Sequence, residues 1–490
     1  MLFRVSRIGA LGLGLVASAL AAGCGSAETR EPARLASEPG TNPNIVFVSI
    51  DSLRADHLGS YGYPKPTSPG MDRLAAEGVR FENAISNTSW TLPSHASMFT
   101  GLNSYTHGLV DNGLRLGDDV VTIAEVLQKA GYRTGGFFGA PYLHPTYGFS
   151  QGFEAYVSCM TKLGTEVMPD AMRAVAQGDV TPPHSDITGP RTLDEVTKWL
   201  DAGAGDGRPF FLFIHLWDPH YDYIPPPEYV EMFDPDYEGS VNGEFLMRNE
   251  AVHKTMDPRD LEHLIALYDG EIRFTDDILG KILAEVDRRH GLDRTLLVVT
   301  ADHGEEFFEH GNKGHQKSLF EEVVRVPLIV RWPERLVPGR VVEDQVRHID
   351  LMPTLLSFAG IEPPEAIEGR DISPLLRGES MPAAPVLIDL QVFDYELFGM
   401  RTNERKFLTF PTKHFWQFGY QHFDLENDPA ERTVLPVWSG GFFTSRSTLK
   451  ELRETADTLR PSLGRTVVEG SEEDDELIER LKSLGYLGGN

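Results

Sequence analysis

Three short runs in this chain are strongly apolar: NIVFVSI at Asn44–Ile50, FFLFIHLW at Phe210–Trp217 and TLLVVTA at Thr295–Ala301. A strand covered on one face alternates apolar and polar residues. One covered on both faces does not, and helical crossovers are what cover both faces of a parallel sheet. Helical patterns lie between the runs. Asp257-Pro258 reads as an N-cap with proline at the first helical position, followed by apolar positions from Leu261 to Val286 and a stop near Gly291. A second helix spans Val121–Ala130 and a third lies around Leu193–Leu200, feeding the Phe210 run. This alternation predicts an α/β layered fold with a mostly parallel central sheet. From Val386 to Leu425 the runs become short, aromatic and alternating, which predicts a small antiparallel sheet. The expected organisation is a leader at 1–24, a tether at 25–43, a main α/β domain at 44–381 and a C-terminal subdomain at 382–490. The acidic stretch Glu469–Glu479 reads as a solvated helical tail.

In open α/β sheets, ligands bind off the carboxyl ends of the strands. The first run ends at Asp51, the second at Asp218 with His220, and the third at Asp302-His303. A lone Asp after a strand is an ordinary turn former. Three such ends, two of them paired with histidine, predict a metal site.

Lys and Arg number 45 against 73 Asp and Glu, so the net charge is 45 − 73 = −28. That charge repels a phosphate backbone and argues against nucleic acid as a partner. Two cysteines allow at most one disulfide. At the N-terminus, Arg4 and Arg7 precede an apolar run from Ile8 to Ala22 that ends in small residues before Cys24. The pattern resembles a bacterial lipoprotein signal, although Ala21 stands where leucine is usual; an ordinary secretory signal is the alternative. Either implies export. Lipidation of Cys24 would make the lipid the chain's one membrane attachment, in the periplasm or outer membrane, and leave Cys159 as the sole thiol.

Residues 89–101, SWTLPSHASMFTG, place several hydroxyls at an expected helix start, where anionic groups are stabilised. On composition alone this is a capping cluster. The stretch also resembles the sulfatase signature of the alkaline phosphatase superfamily, a nucleophile followed by x-Pro-Ser-Arg and ending in Thr-Gly. Further segments follow in that family's order: NIVFVSIDSLRADHLGSYG from Asn44, HLWDPHYDYIPP from His215, TADHGE from Thr300, RVPLIVR from Arg325, HIDLMPTLLSFAG from His348 and FDLENDPAE from Phe423. The resemblance implies the family's central sheet flanked by helices, a C-terminal α+β subdomain and ester hydrolysis.

The departures carry information. Where sulfatases have a cysteine or serine that is oxidised to formylglycine, this chain has Thr91, so no such maturation is expected. His95 replaces the family's arginine, and Asp302-His303 replaces Asp-Asn. These features resemble the threonine-nucleophile branches of the superfamily, phosphodiesterases and phosphoethanolamine-type transferases among them. The reading that follows has Asp51, Thr91, Asp302 and His303 binding a divalent metal and Thr91 attacking the ester. The His303 nitrogen favours zinc or manganese, with calcium possible. A metal that lowers the pKa of water from 15.7 to about 7 would activate the threonine hydroxyl similarly. Asp218, His220, His310 and His315 would complete a second metal site or contact substrate, so one or two ions are expected. His95, His220, His315 and Lys317 are the remaining catalytic candidates, either His315 or Lys317 standing at the family's anion-binding position. Arg54 reads as a structural ion pair beneath the site. Tyr221–Pro227 and the loop to Asn249 would wall the pocket. Phosphate esters are expected over sulfate esters, from a small-molecule, glycan or lipid substrate. A transferase and a non-catalytic lipoprotein are the alternatives.

Overall fold

The computed structural model describes residues 42–435, except 112, 161–186, 393–394 and 412–417, together with 466–467. The leader, Cys24 and nearly all of the expected tether lie outside the described residues, as does the acidic stretch Glu469–Glu479.

The three apolar runs are strands: β1 (Asn44–Ile50), β5 (Phe210–Leu216) and β6 (Thr295–Ala301). They lie side by side and parallel, β1 in the middle, with Ile50 opposite Leu216 on one side and Ala301 on the other. The remaining strands are β2 (Val79–Ile85), β3 (Arg133–Phe138), β4 (Ala155–Ser158), β7 (Arg325–Arg331), β8 (Arg340–Val342) and β9 (Val346–Arg347). They complete a sheet ordered β8-β2-β7-β6-β1-β5-β3-β4, with β9 also paired to β2. Only β7 pairs antiparallel with its neighbours β6 and β2, so the sheet is mixed and mostly parallel. Every residue of β5 and β6 is buried, as strands covered on both faces must be.

The helices form where local chemistry favours them. Helix α1 (Thr91–Thr100) ends at Gly101, whose φ of 67° is the left-handed cap that glycine adopts without strain. Helix α2 (Ile123–Lys129) opens with a capping box, Thr122 accepting from the Glu125 amide while the Glu125 carboxylate accepts from the Thr122 amide. Helix α3 (Gly189–Ala202) feeds β5. The long α4 (Pro258–His290) starts as its sequence predicts, the Asp257 carboxylate accepting from the Arg259 amide at 2.8 Å. Arg288 and Arg289 oppose the negative end of its dipole. Among the described residues, no helix is long and apolar enough to cross a membrane.

A second sheet of four antiparallel strands follows: β10 (Val386–Val392), β11 (Tyr395–Arg401), β12 (Arg405–Pro411) and β13 (Phe418–Asp424). It meets the rest of the protein through buried charges. The Lys406 ammonium, fully buried, donates to Glu321 Oε1 at 3.1 Å and lies 3.1 Å from Glu431 Oε1. Arg401 forks onto both Glu321 oxygens at 2.9 and 2.8 Å. Burial raises the Glu431 carboxyl to about 7 against the pull of Lys406. Lys406→Met leaves these acids without that cation and should destabilise the protein by roughly 3–5 kcal/mol, the usual cost of breaking a buried ion pair. A drop in the urea midpoint at unchanged slope checks this.

Candidate active site and metal centre

Because β1 and β6 are parallel and in register, the residues that follow them, Asp51 and Asp302, emerge together at one edge of the sheet. Both are fully buried. Ser52 turns the chain away in the left-handed region at φ 56°, unusual for a residue with a Cβ. That turn lets the Ser52 hydroxyl donate to Asp51 Oδ1 at 2.8 Å and its amide donate to Asp302 Oδ1 at 3.2 Å. The His303 amide also donates to Asp302 Oδ1, at 2.9 Å. The other carboxylate oxygen, Asp302 Oδ2, is buried without a hydrogen bond. A Cβ at Gly304 would stand 2.1 Å from the Glu322 carbonyl, so only glycine allows the chain to leave the site by this path.

Thr91, at the first turn of α1, places its Oγ1 3.5 Å from Asp51 Oδ2 and 3.4 Å from His303 Nε2. His303 Nε2 is 3.5 Å from Asp302 Oδ2, and its Nδ1 donates to the Gly304 carbonyl at 2.9 Å. With Nδ1 carrying the proton, the Nε2 lone pair faces the carboxylates and the hydroxyl. Asp51, Asp302 and His303 thus form a buried three-residue group able to hold one ion. The separations are those of donors around one divalent cation at bond lengths of about 2.0–2.6 Å. Burial raises the Asp51 carboxyl to about 6 despite the opposing pull of His303 and the Ser52 and Thr91 hydroxyls. A divalent ion there would oppose that rise.

His95 also lies here, its Nδ1 3.8 Å from Asp302 Oδ2. Burial lowers its pKa to about 3, so it is neutral, unlike the arginine it replaces in the sulfatase signature. A carbonyl can only accept, so Nδ1–H donates to the Thr91 carbonyl at 2.9 Å and Nε2 accepts from the Ser49 hydroxyl at 3.0 Å. Both nitrogens are engaged. His95 fixes the backbone of Thr91 and brings no charge to the site.

His220 and His315 do converge on His303. The His315 ring centroid is 4.3 Å from that of His303 and 5.0 Å from that of His220, which stacks on Trp217 at 3.9 Å. His315 Nδ1 lies 3.1 Å from Glu305 Oε1, a pairing that orients the ring. Asp218 is buried two residues before His220, with its carbonyl accepting from Thr275. Lys317 donates to the Lys313 carbonyl at 2.7 Å, and burial lowers its pKa. His310 is placed elsewhere. Its ring stacks on Phe320, Nδ1 is 2.6 Å from Glu322 Oε1 and Nε2 is 3.2 Å from the Glu431 carbonyl, which commits it to the seam with the second sheet. Arg54 forms the expected structural pairs, with Asp56 at 2.8 Å and Glu309 at 2.5 Å. The Tyr221 ring lies 5.1 Å from that of His315, so the expected wall segment reaches the site at that end.

Three residues here escaped the sequence reading: Glu305, His215 and His348. Each lies within a quoted motif, but none directly follows one of the three apolar runs. His348 Nδ1 donates to the Ser94 hydroxyl at 3.1 Å, and Ser94 donates to the Asp302 carbonyl at 2.7 Å, which supports the metal edge from below.

The pattern of the sulfatase family matches residues 43–361, and that of the N-sulphoglucosamine sulphohydrolase C-terminal region matches 309–437. This chain belongs to the sulfatase family of ester hydrolases. It is 28% identical over 347 residues to an ulvan-active sulfatase of Formosa agariphila, covering 69% of this chain and 65% of that protein. It is 25% identical over 479 residues to an N-acetylglucosamine-6-O-sulfatase of Bacteroides thetaiotaomicron, covering 80% and 82%. The phosphonate monoester hydrolase of Agrobacterium radiobacter shares the fold at a TM-score of 0.65 and 22% identity, over 88% of this chain and 98% of that one.

A cation held between two buried carboxylates stabilises only the folded state. Titrating a divalent cation into metal-free protein should raise the thermal midpoint, by the equivalent of about 2.7 kcal/mol at a hundredfold excess over Kd. Asp302→Ala should abolish that rise while leaving the metal-free protein folded, as scanning calorimetry would record.

Proposed function

We propose that this chain is a metal-dependent hydrolase that cleaves phosphate mono- or diesters through a covalent intermediate on Thr91. The observation that carries this reading is the Thr91 hydroxyl, within 3.5 Å of both Asp51 and His303 at a helix N-terminus. Asp51, Asp302 and His303 would hold the ion, and its charge would lower the hydroxyl pKa and offset negative charge on the substrate. Zinc or manganese suits this donor set better than calcium because one donor is an imidazole nitrogen.

In the first step the Thr91 hydroxyl would release its proton to solvent, and its oxygen would bond to phosphorus as the phosphorus–oxygen bond to the leaving alcohol breaks. The electron pair departs with the alcohol, which takes a proton from His315, oriented by Glu305. Water would then attack phosphorus, giving a proton to the His315 left deprotonated by the first step, as the bond to Thr91 breaks and the threonine oxygen regains its proton from solvent. A threonine has no hemiacetal route for releasing sulfate, which favours the phosphoester. A second reading, sulfate esters of glycans, is favoured by the names of the relatives, an ulvan-active sulfatase and an N-acetylglucosamine-6-O-sulfatase.

Metal-stripped protein starting after Cys24, reloaded with zinc, manganese or calcium, separates the two readings. Zinc- or manganese-dependent cleavage of aryl phosphate or bis-aryl phosphate should fall at least about 10³-fold in Thr91→Ala. Calcium-dependent aryl sulfate cleavage that survives Thr91→Ala overturns the proposal. We also infer export with lipid on Cys24, supported by the Arg4/Arg7 and small-residue pattern before it. Labelled palmitate should enter the full chain and be lost in Cys24→Ser; equal labelling of both overturns the inference.

A further inference from the structure

His215 lies in the middle of an otherwise apolar strand, opposite Ser49 in the parallel register of β1 and β5. Registered residues of a parallel pair project to the same face, and so do residues two apart on one strand. His215, Ser49 and Asp51 therefore share the face that α1 covers, where His95 is bonded to Ser49. His215 is fully buried, and neither of its ring nitrogens has a hydrogen-bond partner. Its Nε2 is 3.3 Å from Asp51 Oδ2, without hydrogen-bond geometry. A second atom nearby is in the same condition: Asp302 Oδ2 is buried and unbonded, and Asp302, His95 and His215 lie close enough to share an ion. Of those two imidazoles, only His215 has its nitrogens unengaged, since His95 spends both.

We propose that His215 is a further ligand of the ion held by Asp51, Asp302 and His303, giving the centre two imidazoles. This rests on the metal-dependent reading above. The 3.3 Å between His215 Nε2 and Asp51 Oδ2 matches the 3.4–3.5 Å edges already linking Thr91, Asp51, His303 and Asp302. A polar ring sealed in a strand core without a partner is costly unless something absent from the protein chain completes it. A borderline metal ion bound through nitrogen is that completion. Two nitrogens move the donor set further from calcium and toward zinc.

The test needs no turnover. Metal-stripped wild-type protein is loaded with one equivalent of zinc for X-ray absorption, and with cobalt for visible spectroscopy. The expected result is scattering from two imidazoles in the wild type. His215→Leu, which fills the space without a donor, should show one imidazole, a changed cobalt spectrum and at least 100-fold weaker zinc binding by equilibrium dialysis. One imidazole in the wild type overturns the proposal, as does unchanged zinc affinity and cobalt spectrum in His215→Leu. Two tightly bound equivalents in the wild type, one of them lost in the variant, also overturn it by placing His215 in a separate site. Should His215→Leu fail to fold, the wild-type imidazole count decides alone. Wild-type protein that takes up no divalent ion defeats the metal-dependent reading itself, a failure distinct from a bound ion with one imidazole.

Discussion

Two carboxylates, Asp51 and Asp302, meet at the ends of neighbouring strands, both sealed from water. Like charges this close in a dry environment repel strongly, and each carries a desolvation cost as well. Among the described residues, no lysine or arginine forms an ion pair with either one. The imidazoles around them bring little charge, because burial lowers His95 and His348 to about 3 and His215 to about 4. The site is therefore anionic and rich in nitrogen and oxygen lone pairs, with the Thr91 hydroxyl turned into it. The surrounding strain serves this arrangement: the left-handed Ser52 and the crowded Gly304 direct the chain so that backbone amides hold Asp302 while its second oxygen is left for a ligand.

The sheet was legible because hydrophobic continuity is a local signal. Strands β1, β5 and β6 and helix α4 lie within a residue or two of their expected bounds, since Asp257-Pro258 and the apolar runs leave few alternatives. From there the convergence of Asp51 and Asp302 follows from parallel register alone. Thr91 was legible through the family signature, not through composition. Less accessible were residues whose role depends on which loop folds over which strand. His310 and His315 are five positions apart in one polar loop, yet one faces His303 and the other the seam with the second sheet. His215 had a signal that went unused. An imidazole inside FFLFIHLW cannot reach water, so it had to meet a partner in the interior.

The loop after β6 links the two sheets. It leaves the metal edge through His303, supplies Glu305 and His315 to the site, carries His310 to the seam, and ends in Glu321 and Glu322. Glu321 is gripped by Arg401 and Lys406 of the second sheet, and its amide donates to the Glu431 carboxylate at 2.7 Å. The buried ion pairs at the seam thus anchor one end of the segment that positions His315. Such pairs gain little stability over an apolar equivalent, but their geometry is exacting. Here that geometry fixes the place from which the loop returns to the sheet, and so bears on where the His315 ring stands.

His95 in place of arginine bears on the proposed choice of ester. An arginine beside the metal would add a positive charge and a forked donor for a bound oxyanion. His95 instead is neutral, with both nitrogens bonded to Thr91 and Ser49. On the proposed reading, charge compensation for two carboxylates and a deprotonating Thr91 would then fall on the ion. The more completely that ion is neutralised by its own ligands, the less positive charge remains for the substrate, and a neutral second imidazole compensates less than a carboxylate would. The proposed donor set of two carboxylates with imidazoles would preserve more of the ion's field at the Thr91 oxygen than one with a further carboxylate. In the proposed reaction an alkoxide generated there would attack phosphorus directly. That is the step proposed for Thr91 in the role that a hydrated aldehyde fills in formylglycine enzymes.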